Sequence, residues 1–185
     1  DDGDLRCWGH SSGWTIADFG DYNTTDLLGT GRSARSVCCG EVHTCVVLDN
    51  GALKCWGNNF QSVLGLGDDE SRRNLDQLGD NLPPVDLGAG RTAVAVTCGD
   101  SKTCVLLDTR QVKCWGSGIS MQLGSDSSYT VGGSSETVPS KLAVVPRMDG
   151  VLELSGMGSS TCALQNNSDL AINCFGATRY HFHEE

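Results

Sequence analysis

The stretch that most constrains this chain is Thr44 to Gly57, Thr-Cys-Val-Val-Leu-Asp-Asn-Gly-Ala-Leu-Lys-Cys-Trp-Gly. Two short apolar runs flank Asp49-Asn50-Gly51, a strong hairpin turn signal. Counting outward from that three-residue loop sets Leu48 opposite Ala52, Val47 opposite Leu53 and Cys45 opposite Cys55. Facing residues on antiparallel strands have Cβ atoms about 4.5–5.5 Å apart, within reach of a disulfide after slight adjustment. Cross-linking so short a loop is worth about 3 kcal/mol in the chain-entropy picture. Cys45 and Val47 point to one face, Val46 and Leu48 to the other. Both faces are apolar, which fits a sheet covered on both sides better than one with a wet face.

The same unit returns. Thr103 to Gly116 carries Cys104 and Cys114, again ten residues apart, before Trp115-Gly116. Thr161 to Gly176 carries Cys162 and Cys174 twelve apart, with Phe175 in place of the tryptophan. A half copy opens the chain, where Asp2-Gly3-Asp4-Leu5-Arg6-Cys7-Trp8-Gly9 matches Asn50 to Gly57. The second cysteines stand at 7, 55, 114 and 174. A period of that length with one strand hairpin per unit predicts propeller blades or a β array.

Cys39-Gly40-Glu41-Val42-His43-Thr44-Cys45, Asp49-Asn50-Gly51, Cys55-Trp56-Gly57-Asn58-Asn59 and Leu64-Gly65 resemble one repeat of the regulator of chromosome condensation family. That resemblance implies an all-β fold of propeller-type, four-stranded antiparallel blades. It also implies structural roles for Trp8, Gly9, Gly40, His43, Trp56, Gly57, Gly99, Trp115 and Gly116. The family's usual ring has seven blades, more than a chain of 185 residues can supply. The expectation is three full repeats and one partial one, not a closed ring. The division runs 1–35 (partial blade and connector), 36–92, 93–149 and 150–185 (blade and tail), within a single repeat domain. Leu27-Leu28-Gly29-Thr30-Gly31 looks like the family's Leu-Gly-x-Gly turn after the tryptophan strand.

Ser36–Gly40, Val94–Gly99 and Val151–Gly156 are expected as the innermost strands, with the closing glycine serving a tight turn. His43 is expected to brace its blade. Its equivalents are Lys102 and Ser160, so no shared chemistry is expected there. The segments 58–92 and 117–150 read as polar connectors whose prolines, 83, 84, 139 and 146, suit loops and not central strands.

Ten cysteines in this paired spacing predict structural disulfides and an oxidising location, secreted or at a cell surface. Zinc knuckles with two to four residues between cysteines do not occur in pairs. Beyond the three hairpin pairs, Cys7, Cys38, Cys39 and Cys98 remain, and one of Cys38 and Cys39 is expected to bond Cys98. Sequons at Asn23 and Asn166 mark candidate glycosylation sites, the latter at a hairpin tip. Lysine and arginine total 13 against 23 acids, a net charge of −10, which argues against nucleic acid and anionic membranes as partners. No apolar run approaches the roughly 20 residues of a membrane-spanning helix.

No enzyme is expected, and neither a cofactor nor a metal. There is no nucleophile elbow, phosphate loop or zinc-protease helix motif. The carboxylates Asp68, Asp69 and Glu70 lie beside Arg72 and Arg73 and lack the ladder of a calcium loop. His181 and His183 lie in a tail without a frame. Two functions fit. The first is a secreted structural building block of an extracellular assembly, a glycosylated fibre or appendage made by head-to-tail contacts, with Leu5, Arg6, Cys7 and Trp8 as its assembly edge. The second is a secreted propeller module that recognises a protein or glycan through its loops, where Trp14, Phe19 and Tyr22 cluster. The expected partners are other copies of the chain or further repeats of a longer one, with glycans as a further possibility.

Overall fold

A computed structural model describes residues 25–125, 128–166 and 170–177. Three antiparallel sheets of three strands follow one another along the chain. The first holds β1 (Ala34–Cys39), β2 (His43–Leu48) and β3 (Leu53–Gly57). The second holds β4 (Ala93–Cys98), β5 (Lys102–Leu107) and β6 (Val112–Gly116). The third holds β7 (Val151–Met157), β8 (Ser160–Asn166) and β9 (Leu170–Gly176). Each sheet is a meander, and the registers superpose. Val47 faces Leu53 and Cys45 faces Cys55 in the first, Leu106 faces Val112 and Cys104 faces Cys114 in the second, and Cys162 faces Cys174 in the third.

The expected fourth strand is reduced to a single residue. Gly57 exchanges both backbone hydrogen bonds with Arg72, and Gly116 does the same with Val131. The connectors are polar and proline-bearing, so they touch the sheet edge once and leave it instead of extending a ladder. Gly57 and Gly116 have φ of +113° and +111°, a region open to glycine at little cost. A Cβ there would lie 2.6 Å from the Val42 carbonyl oxygen, or 2.4 Å from that of Ser101.

The sheets stack face to face. Cys45, Val47, Leu53 and Cys55 of the first share a core with Val96, Cys98, Val105, Leu107 and Trp115 of the second. Cys104, Leu106, Val112 and Cys114 on the second sheet's other face pack with Val151 and Ala163 of the third. Every residue of β2 and β5 is buried, as apolar residues on both faces require. The opposite face of the first sheet, Val46, Leu48 and Trp56, is covered by Leu27 and Leu28 of a short helix, α1 (Thr25–Leu28), with Leu78 and Leu82.

Two sequence expectations are corrected. Leu28-Gly29-Thr30-Gly31 is not the turn after a tryptophan strand. It is the turn into an inner strand, equivalent to Leu87-Gly88-Ala89-Gly90. The φ values match in order, +104° and +68° against +111° and +70°, and Arg32 and Arg91 make the same backbone bond to Gly29 and Gly88. A Leu-Gly pair occurs at both kinds of turn, at Leu64-Gly65 after a tryptophan strand and at Leu87-Gly88 before an inner strand, and local residues do not tell the two apart. Gly40 and Gly99 are also not required for a special turn conformation, since neither has positive φ. They are small because neighbouring sheets converge there. A Cβ on Gly40 would lie 2.6 Å from the Gly99 carbonyl oxygen, and one on Gly99 would lie 2.1 Å from that of Gly158.

Candidate interaction surfaces

A polar latch crosses each seam between sheets. His43 is fully buried, and its Nε2 lies 2.8 Å from Thr103 Oγ1 of the next sheet. That hydroxyl donates its one proton to the Val63 carbonyl oxygen at 2.8 Å, so His43 must be the donor to Thr103. Trp115 Nε1 donates to the same carbonyl at 2.9 Å. His43 Nδ1 is buried without a partner. Protonating it would bury a charge and an unpaired N–H, and desolvation accordingly lowers the pKa from 6.5 to about 4.

The second seam uses different chemistry at the same place. Lys102 Nζ donates to Thr161 Oγ1 at 2.6 Å and lies 5.9 Å from the Phe175 ring centroid. Burial pushes this ammonium from 10.5 down to about 8, against the opposing field of Asp100. His43 and Lys102 are repeat equivalents, as are Thr103 and Thr161, so the expectation of no shared role at position 43 is corrected. Ser160, the third equivalent, lies on the third sheet, which no further sheet follows among the described residues. Its hydroxyl donates to the Ala177 carbonyl, just past β9, at 2.8 Å.

Two buried lysines tie the connectors down. Lys54 Nζ donates to the Leu28 and Gly79 carbonyls at 3.0 and 2.6 Å. Lys113 Nζ donates to those of Leu87, Pro139 and Ser140 at 3.3, 2.7 and 3.3 Å. Desolvation lowers the pKa of both, partly offset by Asp80 and Asp86 respectively. Sequence alternation gave no sign of this role, because a lysine in a strand reads as a solvated side chain. The third equivalent, Asn173, donates instead to Gln165 within its sheet.

Disulfides join Cys45 to Cys55, Cys104 to Cys114 and Cys162 to Cys174 within hairpins, and Cys38 to Cys98 across the first seam with Cα atoms 5.4 Å apart. At the equivalent point of the second seam, Thr97 Oγ1 donates to the Gly156 carbonyl at 3.5 Å. Cys39 is exposed and unpaired. The sulfurs of Cys38, Cys45 and Cys98 lie within 4.8 Å of one another. Each is already spent in a disulfide, so this cluster has no thiolate for a metal. The carboxylates expected to be neutralised are paired in part, with Arg72 bonding Asp68 at 2.7 Å and approaching Glu70 at 3.7 Å.

Asn166 is exposed at the end of β8. Asn23, Leu5, Arg6, Cys7, Trp8, Gly9, the aromatics Trp14, Phe19 and Tyr22, and the tail histidines lie outside the described residues. Among the described residues no helix is long and apolar enough to cross a membrane.

Among the described residues, apolar side chains are exposed at each end of the stack. On the third sheet's outward face Ile172 is 72% exposed, with Leu170 and Met157 also exposed, whereas its equivalents Leu53 and Val112 are fully buried under the following sheet. On the first sheet, Val37 is 48% exposed and Cys39 exposed, whereas Val96 and Cys98 at the same positions of the second are 6% and 5% exposed. A third apolar set lies on the loops after the tryptophan strands, where Phe60 and Ile119 occupy equivalent exposed positions. Tyr129 is exposed beside Thr130, whose hydroxyl donates to Gln61 at 2.8 Å.

The regulator of chromosome condensation (RCC1) repeat description matches residues 34–62 and 93–120. The serine/threonine-protein kinase Nek9 of Xenopus laevis is 28% identical over 80% of this chain and 16% of its own length. The human E3 ubiquitin-protein ligase HERC2 is 31% identical over 66% of this chain and 2% of its own. The chain thus spans a small part of these relatives, and the similarity lies in their repeat regions, not in their catalytic ones. Prp20p from Saccharomyces cerevisiae superposes with a TM-score of 0.57 at 18% identity, over 80% of this chain and 31% of that one. Repeat match, sheet order and fold agree: the chain carries RCC1-type repeats in a disulfide-rich form.

Proposed function

We propose that the chain is a secreted or cell-surface interaction module that binds head to tail through the two end faces of its sheet stack, building an extracellular assembly of the fibre or appendage type. The observation that carries this reading is the contrast between Ile172 and its buried equivalents Leu53 and Val112. The same face is covered by another sheet of the same kind in two of three repeats, so the occupant that fits the third is a further such sheet. The ends are unlike, which makes the contact heterologous and able to propagate. Four disulfides support an oxidising compartment. Exposed Asn166 within its sequon supports a glycan on this chain. Prp20p, a relative by fold, has binding properties toward Gsp1p and histones, which supports a protein-binding use of these sheets.

The test uses two variants of the purified chain, Ile172→Glu at one end and Val37→Glu at the other. Sedimentation velocity should show concentration-dependent association of the parent chain and monomers for each variant alone. A mixture of the two should form pairs and nothing longer, because one intact head and one intact tail remain. A parent chain that stays monomeric at high concentration overturns the assembly reading.

The loop reading is favoured separately by Phe60 and Ile119, exposed at equivalent positions of two successive repeats, and by exposed Tyr129. Capture of a protein or glycan partner that survives Ile172→Glu and is lost in Phe60→Ala with Ile119→Ala would favour loops over end faces.

A further inference from the structure

Three cysteines stand in one row across the first sheet. Cys38 of β1 faces Cys45 of β2, and Cys45 faces Cys55 of β3. Cys98 of the second sheet meets that row from across the seam, and the sulfurs of Cys38, Cys45 and Cys98 lie within 4.8 Å of one another. The seam disulfide Cys38–Cys98 and the hairpin disulfide Cys45–Cys55 are therefore neighbours in one apolar core. The other two hairpins are built without this contact. Thr97 faces Cys104 and Ser155 faces Cys162, so the strand position that holds Cys38 carries a hydroxyl in both. Beside Cys104 Sγ stands the Thr161 hydroxyl oxygen, at 3.9 Å.

The four sulfurs of this cluster differ in access. Cys45, Cys55 and Cys98 are buried, whereas Cys38 is half-buried at the seam's edge. A thiol from solution thus meets the seam bond at Cys38. The sulfur it would release, that of Cys98, already lies beside the sulfur of Cys45.

We propose that Cys38 is a thiol-acceptor site, where a thiol of the glutathione class bonds covalently while the neighbouring hairpin disulfide keeps the seam tied. The entering thiolate attacks Cys38 Sγ, and the electron pair of the seam bond leaves on Cys98 Sγ. The Cys98 thiolate then attacks Cys45 Sγ, and the electron pair of the hairpin bond leaves on Cys55 Sγ. Cys55 takes up the proton that the entering thiol gave up. Two disulfides break and two form, so no oxidant or reductant is consumed. Buried among apolar side chains, the Cys55 thiol holds its proton and is a poor nucleophile for the return step. The first and second sheets stay covalently joined, now through β2 instead of β1. The inference rests on the oxidising location proposed above and not on the end-to-end contact.

The experiment follows the full native chain through two rounds of labelling. N-ethylmaleimide first blocks thiols that are free at the outset, Cys39 among them. Reduced glutathione is then added, and isotopically heavy N-ethylmaleimide ends the reaction before digestion without reduction. The expected products are glutathione on Cys38, a cross-linked peptide joining Cys45 to Cys98, and heavy label on Cys55. Cys104 and Cys114 form the internal control and should stay bonded and unlabelled, because no third sulfur stands beside them. Cys38→Ser frees Cys98 without any added thiol and should give the same Cys45–Cys98 cross-link. Heavy label on Cys98 with Cys45–Cys55 intact overturns the inference. So does a seam bond untouched by glutathione that opens the exposed Cys162–Cys174 pair, or a Cys38→Ser chain that holds only Cys45–Cys55. Light label on Cys104 and Cys114 in the first round would instead sink the oxidising-compartment reading.

Discussion

His43 donates from Nε2 to the hydroxyl of Thr103 across the first seam at 2.8 Å, and the rest of the imidazole has no polar neighbour to turn to. Lys102 repeats the contact to Thr161 in the second seam. Each sheet is thus registered on the next by one buried donor, although the donor's chemistry changes along the stack.

This latch sets a pH dependence. The unfolded chain binds a proton at His43 near 6.5, whereas the folded chain resists it down to about 4. The unfolded state therefore holds more protons between those values, and stability falls as pH drops from 6.5 toward 4. The full loss from this group is about 3 kcal/mol. His43→Gln retains an N–H donor and should flatten the slope of unfolding free energy between pH 6.5 and 5. Asp80 and Asp86 act lower. Hydrogen bonds from Thr30 and Ser140 respectively hold their pKa below 3.8, so their contribution is present above that value and is lost as pH falls further. Lys102 acts at the other end, where stability should rise with pH between about 8 and 10.5 as the folded chain sheds its proton first.

The disulfide of the first seam and the hydrogen bond of the second occupy the same register, which makes them exchangeable. Replacing Cys38 by Thr and Cys98 by Gly should give a folded chain whose first seam resembles the second. Cys38–Cys98 spans 60 residues, so its loss costs about 4 kcal/mol in the chain-entropy picture, of which a hydrogen bond restores about 1. Urea unfolding should show a lower midpoint, and the three hairpin disulfides should remain.

Gly116→Ala should be among the most damaging small changes in the molecule. The residue has φ of +111°, and a Cβ would lie 2.4 Å from the Ser101 carbonyl oxygen and 2.8 Å from Lys102 Cα. Left-handed strain and backbone displacement together cost about 3 kcal/mol or more. Gly90→Ala, at φ +70° with nothing within 4 Å, isolates the conformational part and should cost about 1 kcal/mol. Thermal unfolding of the two variants measures the difference.

Arg110→Gly should stabilise. Arg110 holds φ of +62° at the position Gly51 fills in the first hairpin. Both turns hold it with the same backbone bonds: the Arg110 N–H donates to the Leu107 carbonyl at 2.9 Å and its carbonyl accepts from the Val151 N–H at 3.0 Å, as Gly51 donates to Leu48 at 2.9 Å and accepts from Ala93 at 2.8 Å. Removing the side chain relieves left-handed strain at some entropic cost, for a net gain of up to about 1 kcal/mol. An unchanged or lower unfolding midpoint would show that the Arg110 side chain has a use of its own.

By itself the sequence determined what is local or periodic. Three residues of turn chemistry set the register of the first hairpin, and Cys45 therefore stands opposite Cys55. Apolar residues on both sides of β2 announced a sheet covered on both faces. The repeat spacing announced the stack. Tertiary structure decided whatever depends on which surface the next sheet covers. Cys38 and Cys39 are chemically identical neighbours, but consecutive residues of a strand point to opposite faces, and only Cys38 points at the second sheet. His43 and Lys102 share a task that residue identity conceals, because the partner threonine lies about sixty residues along the chain. Lys54 and Lys113 read as solvated strand residues until the connectors fold over them and present carbonyl oxygens to their ammonium groups. A hairpin is specified by its own turn, whereas a seam is specified only once two sheets have met.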